Sequence, residues 1–403
     1  MMQQNRAIPR RRLPAWLPSA AFPALVLTLS GCANLPRGEA PEETARGGYA
    51  AGDRVALLLP TQGPYLAVAD AVRDGVRAAA RVDDTQSQPK LVSVDSATPE
   101  RVASIFAQAL DSGATQVIGP IEKPAVDALA GLGALQVPTL ALNEGTSAGK
   151  PAANLFQFSL SPETDAIEVA NKAKALGFTR ALMLYPDDGA GERRAAAFRG
   201  HWGRLGGTLV GESAFSPSTA ANPAPIQGLL GRGGADFLFL VANAEQAREI
   251  YAQVRGGAAA IPVIATSDVY SGDADQTRDR ALDGLYFVDM PWMLGVEEGK
   301  DPLRRADLKS AASHLATPLG RRLYAMGIDA YRLAPRLTAL AGNPGASFSG
   351  QTGRLSFDAL GRVRRQLILA RFTQSGPEPV VGVATPAQAT QPRNARPEPA
   401  TRG

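Results

Sequence analysis

The sequence predicts an α/β protein of two lobes, each a parallel sheet flanked by helices. Three observations carry that expectation. Short apolar runs alternate with stretches of helical periodicity from Arg54 onward, and the alternation runs twice, with a break after Phe156-Gln157-Phe158. Further chain remains after the second round, so the backbone passes between the lobes more than once, and such a hinge allows closure around a guest.

Arg54 to Leu59 reads RVALLL, the continuous apolar run of a strand buried on both faces, and Pro60 ends it. From Ala67 to Val82 the residues Val68, Ala71, Val72, Gly75, Val76 and Ala79 return at helical spacing, with acids and arginines on the other face. Lys90 to Val94 then reads as strand, Pro99 to Ser112 as helix, Thr115 to Ile118 as strand, Pro124 to Leu132 as helix and Thr139 to Leu142 as strand. This is βαβαβ winding. The second round places helices at Thr164 to Leu176, Arg193 to Leu205 and Ala244 to Val254. Its strands are Arg180 to Tyr185, Thr208 to Ser213, Phe237 to Val241 and Pro262 to Ala265. The apolar segment Leu285 to Asp289, a helix from Gly320 to Leu337 and a hairpin-like pair, Thr352 to Phe357 and Arg364 to Phe372, complete a domain over residues 52 to 375. The first lobe is expected at about 52 to 158 with 284 to 335, and the second at about 159 to 283 with 336 to 375.

The ends have a different character. Residues 1 to 31 hold Arg6, Arg10, Arg11 and Arg12, no acid, and an apolar stretch broken by Pro14, Pro18 and Pro23 that closes on Leu29-Ser30-Gly31-Cys32. That order is a signal peptide, too short and too broken to cross a core of ~30 Å as a permanent helix of ~20 residues. The closing tetrapeptide resembles the lipobox of bacterial lipoproteins, and Cys32, the single cysteine of the chain, is the expected lipidation site. Each buried methylene is worth ~0.8 kcal/mol, so two or three acyl chains anchor stably. Ala33 after the cysteine, by resemblance to Gram-negative sorting, directs the anchor to the outer membrane, with the domain on the periplasmic face. Residues 32 to 51 and 376 to 403, rich in Pro, Gly, Ala and Glu, read as a flexible leader and a disordered tail.

Removing the four leader arginines takes the formal charge from +4 to zero. No basic patch remains to replace counterions, which argues against nucleic acid as a partner. With one cysteine there is no internal disulfide, so the core must hold the fold.

Several segments resemble known proteins. Val55 to Tyr65 (VALLLPTQGPY), Ala71 to Gly75 (AVRDG) and Val117 to Pro120 (VIGP) look like the opening of type I periplasmic binding proteins. Arg322 to Tyr331 (RLYAMGIDAY), Gly350 to Leu355 (GQTGRL) and Ala141-Leu142-Asn143 resemble the LppC/LpoA family of outer-membrane lipoproteins, which activate penicillin-binding proteins. The resemblance runs over roughly residues 53 to 375. It implies a two-lobed type I periplasmic-binding-protein-like fold and a regulatory contact with a peptidoglycan synthase. The longer family members carry a helical-repeat domain before this one, where here a short leader stands.

In that fold the C-terminal ends of strands and the helix N-termini after them face the cleft, where backbone N–H groups favour anions. The cleft candidates are Thr61, Gly63, Pro64 and Tyr65 after the first strand, Gly119 and Pro120, Asn143, and Ser267, Asp268 and Tyr270. Pro186 to Asp188 lies at the same edge. Gly63-Pro64 is equally a turn that opens a helix. Amino-acid-binding relatives place hydroxyl residues where Ile121-Glu122-Lys123 and Asn143-Glu144 stand here, which weakens a free amino-acid ligand.

Catalytic readings find little support. Gly145 to Gly149 spells G-x-S-x-G with His201 and His314 downstream, but Lys150-Pro151 interrupts the helix that a nucleophile elbow needs. The glycine-lysine segments Gly145 to Lys150 and Gly295 to Lys300 miss the phosphate-loop spacing. Asp273-Ala274-Asp275 begins like a calcium loop but has Arg278 where the turn needs glycine. No metal or cofactor is expected, and Asp187-Asp188 and Glu297-Glu298 read as solvated charges. With the lipobox and the LppC/LpoA resemblance, this implies a non-catalytic, lipid-anchored regulator of a penicillin-binding protein in peptidoglycan synthesis. The alternative is a lipid-anchored receptor that passes an amino acid or similar small molecule to a transporter.

Overall fold

The structure, a computed structural model, describes residues 48–83, 87–146, 152–216, 223–256, 261–273, 275–296, 301–308 and 312–382. The expected signal peptide and Cys32 lie outside the described residues, as do Ser147, Glu297 and Glu298.

The first sheet contains β1 (Arg54–Leu58), β2 (Lys90–Val94), β3 (Gln116–Ile118), β4 (Ala134–Ala141) and β5 (Ala153–Gln157), all parallel, in the order β2-β1-β3-β4-β5. Its helices are α1 (Leu66–Val82), α2 (Val102–Asp111) and α3 (Lys123–Ala130). Val55, Ala56, Leu57 and Leu58 of the inner strand β1 are all buried, as a run covered on both faces must be. Strand β4 starts five residues before the expected Thr139, because a register shift between Ala134 and Thr139 interrupts its pairing and Pro138 hides it from sequence patterning. The sequence also gave no sign of β5, an edge strand with exposed Ala153 and Asn154.

The second sheet has seven strands in the order β15-β14-β10-β9-β8-β6-β7. They are β6 (Arg180–Pro186), β7 (Thr208–Phe215), β8 (Phe237–Leu240), β9 (Val263–Ala265), β10 (Tyr286–Asp289), β14 (Ile368–Thr373) and β15 (Gly376–Pro379). All pair in parallel except β14 and β15, which run antiparallel at one side. Helices α4 (Pro162–Ala175), α5 (Gly189–Arg204), α6 (Pro223–Leu230) and α7 (Ala244–Gly256) accompany it. Phe198 of α5 stacks on Phe239 of β8 with ring centroids 4.3 Å apart, and Trp202 meets Phe237 edge-on at 5.5 Å. Asp188 caps α5 by accepting from the Ala190 and Gly191 N–H groups at 2.8 and 2.7 Å. The expected free loop charge is thus an N-cap.

The third part of the chain departs most from expectation. Tyr286–Asp289, assigned in sequence to the first lobe, is β10 in the second sheet, paired in parallel with β9. Helix α8 (Pro318–Leu333) does pack against α1 of the first lobe; it stops short of Leu337 because Pro335 lacks the N–H that a further helical turn requires. After the short helix α9 (Leu337–Ala341) comes a separate antiparallel sheet of β11 (Phe348–Gly350), β12 (Gly353–Phe357) and β13 (Val363–Gln366). The expected strand Arg364 to Phe372 is therefore two strands in two sheets, divided at Leu367, whose N–H donates to the buried carboxylate of Glu168 at 2.9 Å. The small sheet meets the first lobe through the Gln157–Arg362 bridge and the bond from the Gln157 N–H to the Gly361 carbonyl, so residues 348–366 are not part of the second sheet either.

Both ends of the domain reach further than expected. Gly376–Pro379, read as disordered tail, is strand β15. Its register pairs Pro377 with Phe372 and Pro379 with Ala370, the alternate positions whose N–H would point away from β14. Proline at those positions removes no ladder bond. Tyr49, read as leader, is buried, donates to the Tyr331 carbonyl at 2.7 Å and packs its ring 4.7 Å from that of Tyr331. Among the described residues no helix is long and apolar enough to cross a membrane.

Candidate functional site

Ligands of open parallel sheets bind outside the carboxyl ends of the strands, so the loops after β1, β3, β4 and β9 are the first place to look. Thr61 to Tyr65 after β1 is exposed. The Asp95 carboxylate at the end of β2 accepts from the Thr61 N–H at 2.9 Å, and Gly63 takes a φ of +81° in the turn that starts α1. Burial opposes ionisation of Asp95, but donors from Thr61, Ala97 and Gln62 together outweigh it and lower the pKa. Gly119 is buried with a φ of +105°, and a Cβ there would stand 2.1 Å from the Leu58 carbonyl oxygen. The close approach that demands glycine is thus to the chain itself.

The remaining candidates bond within the protein. Asn143 donates to the Ile121 carbonyl at 3.0 Å and accepts from the Glu144 N–H at 2.9 Å. Glu144 in turn accepts from Ser159 at 2.6 Å and lies 3.9 Å from Arg362. In the second lobe, Asp268 pairs with Arg194 at 2.8 Å, and the buried Tyr270 packs its ring against Phe287 and Phe372. The Ser267 hydroxyl and N–H both donate to the same oxygen of Asp165, at 2.5 and 3.1 Å. The Ser267 and Tyr270 carbonyls, which a ligand ammonium would seek, accept instead from Arg322 at 3.1 and 3.4 Å.

Arg322 belongs to a buried charge network that the sequence did not reveal. The network gathers where the backbone leaves one lobe for the other, at residues 158–161, after Asp289 and at Leu367. Arg322 of α8 holds Asp289, at the end of β10, at 2.7 Å. Arg365 of β13 lies 4.0 Å from Asp165 of α4, and Glu168 one turn later accepts from Asn171 and from the Leu367 N–H. Asp165, Glu168, Lys172, Asp289 and Arg365 are all buried. Burial raises the pKa of Asp165 and Glu168, and pushes Asp289 up to about 6 although Arg322 pulls it back. These residues span two hundred positions, so no local spacing announces them. The one legible trace is a charge interrupting an apolar run, as in Leu285-Tyr286-Phe287-Val288-Asp289.

A further buried carboxylate, outside that network, links the two segments that carried the family resemblance. Asp329 of α8, wholly buried, accepts from the Gln351 N–H, the Thr352 N–H and the Thr352 hydroxyl at 2.7, 2.7 and 2.6 Å. It therefore clasps the β11–β12 turn. Desolvation raises its pKa to about 6 against the pull of those donors.

Neither histidine is arranged as a base. His201 bonds Asn171 at 2.7 Å and Arg204 at 3.2 Å, and His314 bonds Asp74 at 2.9 Å. Asp273 pairs with Arg305 and Arg321, and Asp275 caps a helical turn. Among the described residues no group of three or more His, Cys, Asp or Glu side chains is placed to hold a metal ion.

A family model described as LppC putative lipoprotein matches residues 50–375. The chain belongs to the LppC family. The penicillin-binding protein activator LpoA of Pasteurella multocida is 29% identical over 329 residues, which cover 80% of this chain and 54% of that protein. The chain thus spans about half the length of that relative. The LpoA (YraM) C-domain of Haemophilus influenzae, a regulator of PBP1A, superposes with a TM-score of 0.69 at 26% identity, covering 82% of this chain and 100% of that one. A putative branched-chain amino acid ABC transporter protein from Chromobacterium violaceum superposes with a TM-score of 0.65 at 30% identity, covering 79% and 99%. The fold is the two-lobed type I periplasmic-binding-protein-like one, and its LppC relatives are named as activators.

Proposed function

We propose that this LppC-family chain is a lipid-anchored regulator that raises the activity of a peptidoglycan synthase by contact, without catalysis of its own. The observation that carries the reading is the family match over residues 50–375, which includes the Asp329 clasp joining the two signature segments. The strand-end geometry supports it as well. The polar groups of Asn143, Ser267 and Tyr270 that would orient a small zwitterion bond Ile121, Asp165 and Arg322 instead. The exposed loop from Thr61 to Tyr65, with Gly63 and Pro64 at its tip, is the part of the cleft edge we assign to contact with the partner. Cys32 carries the lipid, and the anchor lies in the outer membrane facing the periplasm.

Reconstituting the lipidated chain with penicillin-binding proteins of its own cell tests the reading, with glycan polymerisation and peptide cross-linking as readouts. At least one of them is expected to accelerate; if none binds or changes rate, the reading fails. A solute-receptor function is favoured by the likeness to the Chromobacterium violaceum protein. Thermal melting with branched-chain and other amino acids separates the two, because a ligand at a hundred times its Kd would add ~2.7 kcal/mol of stability.

A further inference from the structure

Helices α1 and α8 pack side by side and run in the same direction. Gly75 and Gly327 meet near their middles, and Arg332, near the end of α8, binds Asp83, just past the end of α1, at 2.6 Å. Their starts therefore lie together at one end of the lobe. It is the end toward which β1 runs, and so the cleft edge.

That end is apolar where a helix start is ordinarily polar. Capping side chains and acids stabilise a first turn because they answer its unpaired N–H groups. Neither helix has an acid there, and Tyr65, at the N-cap of α1, makes no capping bond. Instead Tyr65, Leu66 and Leu319 are 45%, 38% and 57% exposed, beside exposed Pro64 and Pro318. Large apolar side chains left in water on two elements that pack together mark an interaction surface, whereas single exposed ones need no explanation.

Two further observations say what covers it. Asp95 stands exposed against the Thr61 to Tyr65 loop, accepting from the Thr61 N–H at 2.9 Å and the Gln62 side-chain amide at 3.3 Å, with no cation at ion-pair distance among the described residues. A partner that carries a lysine or arginine beside its apolar side chains complements that charge. The second observation is where the chain from Cys32 enters the domain. Tyr49 is buried against Tyr331, near the far end of α8. The 17 residues of α1 rise ~25 Å, so the side of the domain that a lipid on Cys32 tethers and the apolar end of the helix pair are distinct faces. The patch is thus open to a protein partner while the anchor holds.

We propose that the starts of α1 and α8 form one docking surface for a periplasmic segment of the synthase that is apolar and carries a basic residue. Its apolar side chains cover Tyr65, Leu66 and Leu319, and its cation meets Asp95. The assignment rests on the regulatory reading above and extends it, from the Thr61 to Tyr65 loop alone to a surface shared by two helices distant in sequence.

The test uses the full lipidated chain in detergent and the purified penicillin-binding proteins of its own cell, with affinity read by interferometry. Tyr65→Asp and Leu319→Asp are each expected to weaken binding roughly tenfold or more, because each sets a charge in an apolar contact. Leu176→Asp, on the second lobe, is expected to leave the affinity unchanged. Asp95→Asn, which keeps an acceptor for the Thr61 N–H, is expected to weaken binding about threefold and to flatten its dependence on salt. Thermal melting verifies that the variants are folded. If the parent binds and only one of Tyr65→Asp and Leu319→Asp is impaired, or neither is, the shared surface is overturned while the regulatory reading stands. If no penicillin-binding protein binds the parent, both fall. Loss of self-association, or of binding to phosphatidylglycerol vesicles, in the two variants with synthase binding intact overturns the assigned occupant.

Discussion

At the scale of single residues, the side chains that matter most are buried polar groups, each shaped by what surrounds it. Asp329 exemplifies the requirement for room: a Cβ on Gly350 would lie 2.7 Å from its carboxylate oxygen, so the glycine is what lets the carboxylate reach the turn. His201 is a case where environment sets charge. Burial, then the nearby Arg204 and Arg364, lowers its pKa from 6.5 to about 4, and the Arg204 guanidinium donating to Nδ1 holds the ring neutral. The unfolded chain binds a proton there below pH 6.5 and the folded chain only near pH 4, so stability linked to this ring is full above pH 6.5 and is lost as the pH falls toward 4. Urea unfolding of the parent and of His201→Gln at pH 7 and pH 5 checks this. The parent is expected to lose more stability on acidification than the variant; equal losses would place the pH dependence elsewhere.

Elements are joined by contacts that small residues permit. Helices α1 and α8 cross where Gly75 and Gly327 face each other's backbone: a Cβ on Gly75 would stand 2.0 Å from the Tyr324 oxygen, and one on Gly327 2.1 Å from the Val72 oxygen. Gly75→Ala is therefore expected to destabilise the domain by about 3 kcal/mol through overpacking, read as a lowered urea midpoint. An unchanged midpoint would mean that the helices can part without loss. Strand β15 gives the second prediction at this scale. With Pro377 and Pro379 both replaced by valine, its outer edge regains two N–H donors and β propensity. The double variant is expected to self-associate more than the parent in sedimentation at equal concentration, and identical profiles would show that the prolines do not guard the edge. The composition that made residues from 376 onward read as tail is, at these two positions, the means by which the sheet ends.

For the whole molecule the question is whether the lobes move. Asp165, Glu168, Asp289, Arg322 and Arg365 tie the backbone passages together in a buried network. Opening such a network leaves uncompensated charge at about 3–5 kcal/mol for each broken pair. The two-lobed domain is therefore expected to hold one separation, suited to presenting a surface rather than to closing on a solute. Spin labels at exposed Leu132 and Leu176, one on each lobe, in a Cys32→Ser background read that separation directly. A single narrow distance distribution is expected, broadened by Arg365→Leu; a broad parent distribution, or no effect of the substitution, would exclude the lock.

The sequence by itself determined the α/β class, the two rounds of winding and most strands and helices through Ala265. Those depend on local periodicity and on the turn residues between elements, as in Arg54 to Pro60 and the apolar face of Ala67 to Val82. It also held the two segments that resemble the family, although not the contact that joins them, that of Asp329 with Gln351 and Thr352. Only the tertiary structure decided which sheet Tyr286–Asp289 joins, where Arg364 to Phe372 divides, and that five charges far apart in the chain meet between the lobes. Strand partners and buried ion pairs are long-range choices. They are set by which surfaces exclude water together, and no window of neighbouring residues contains that information.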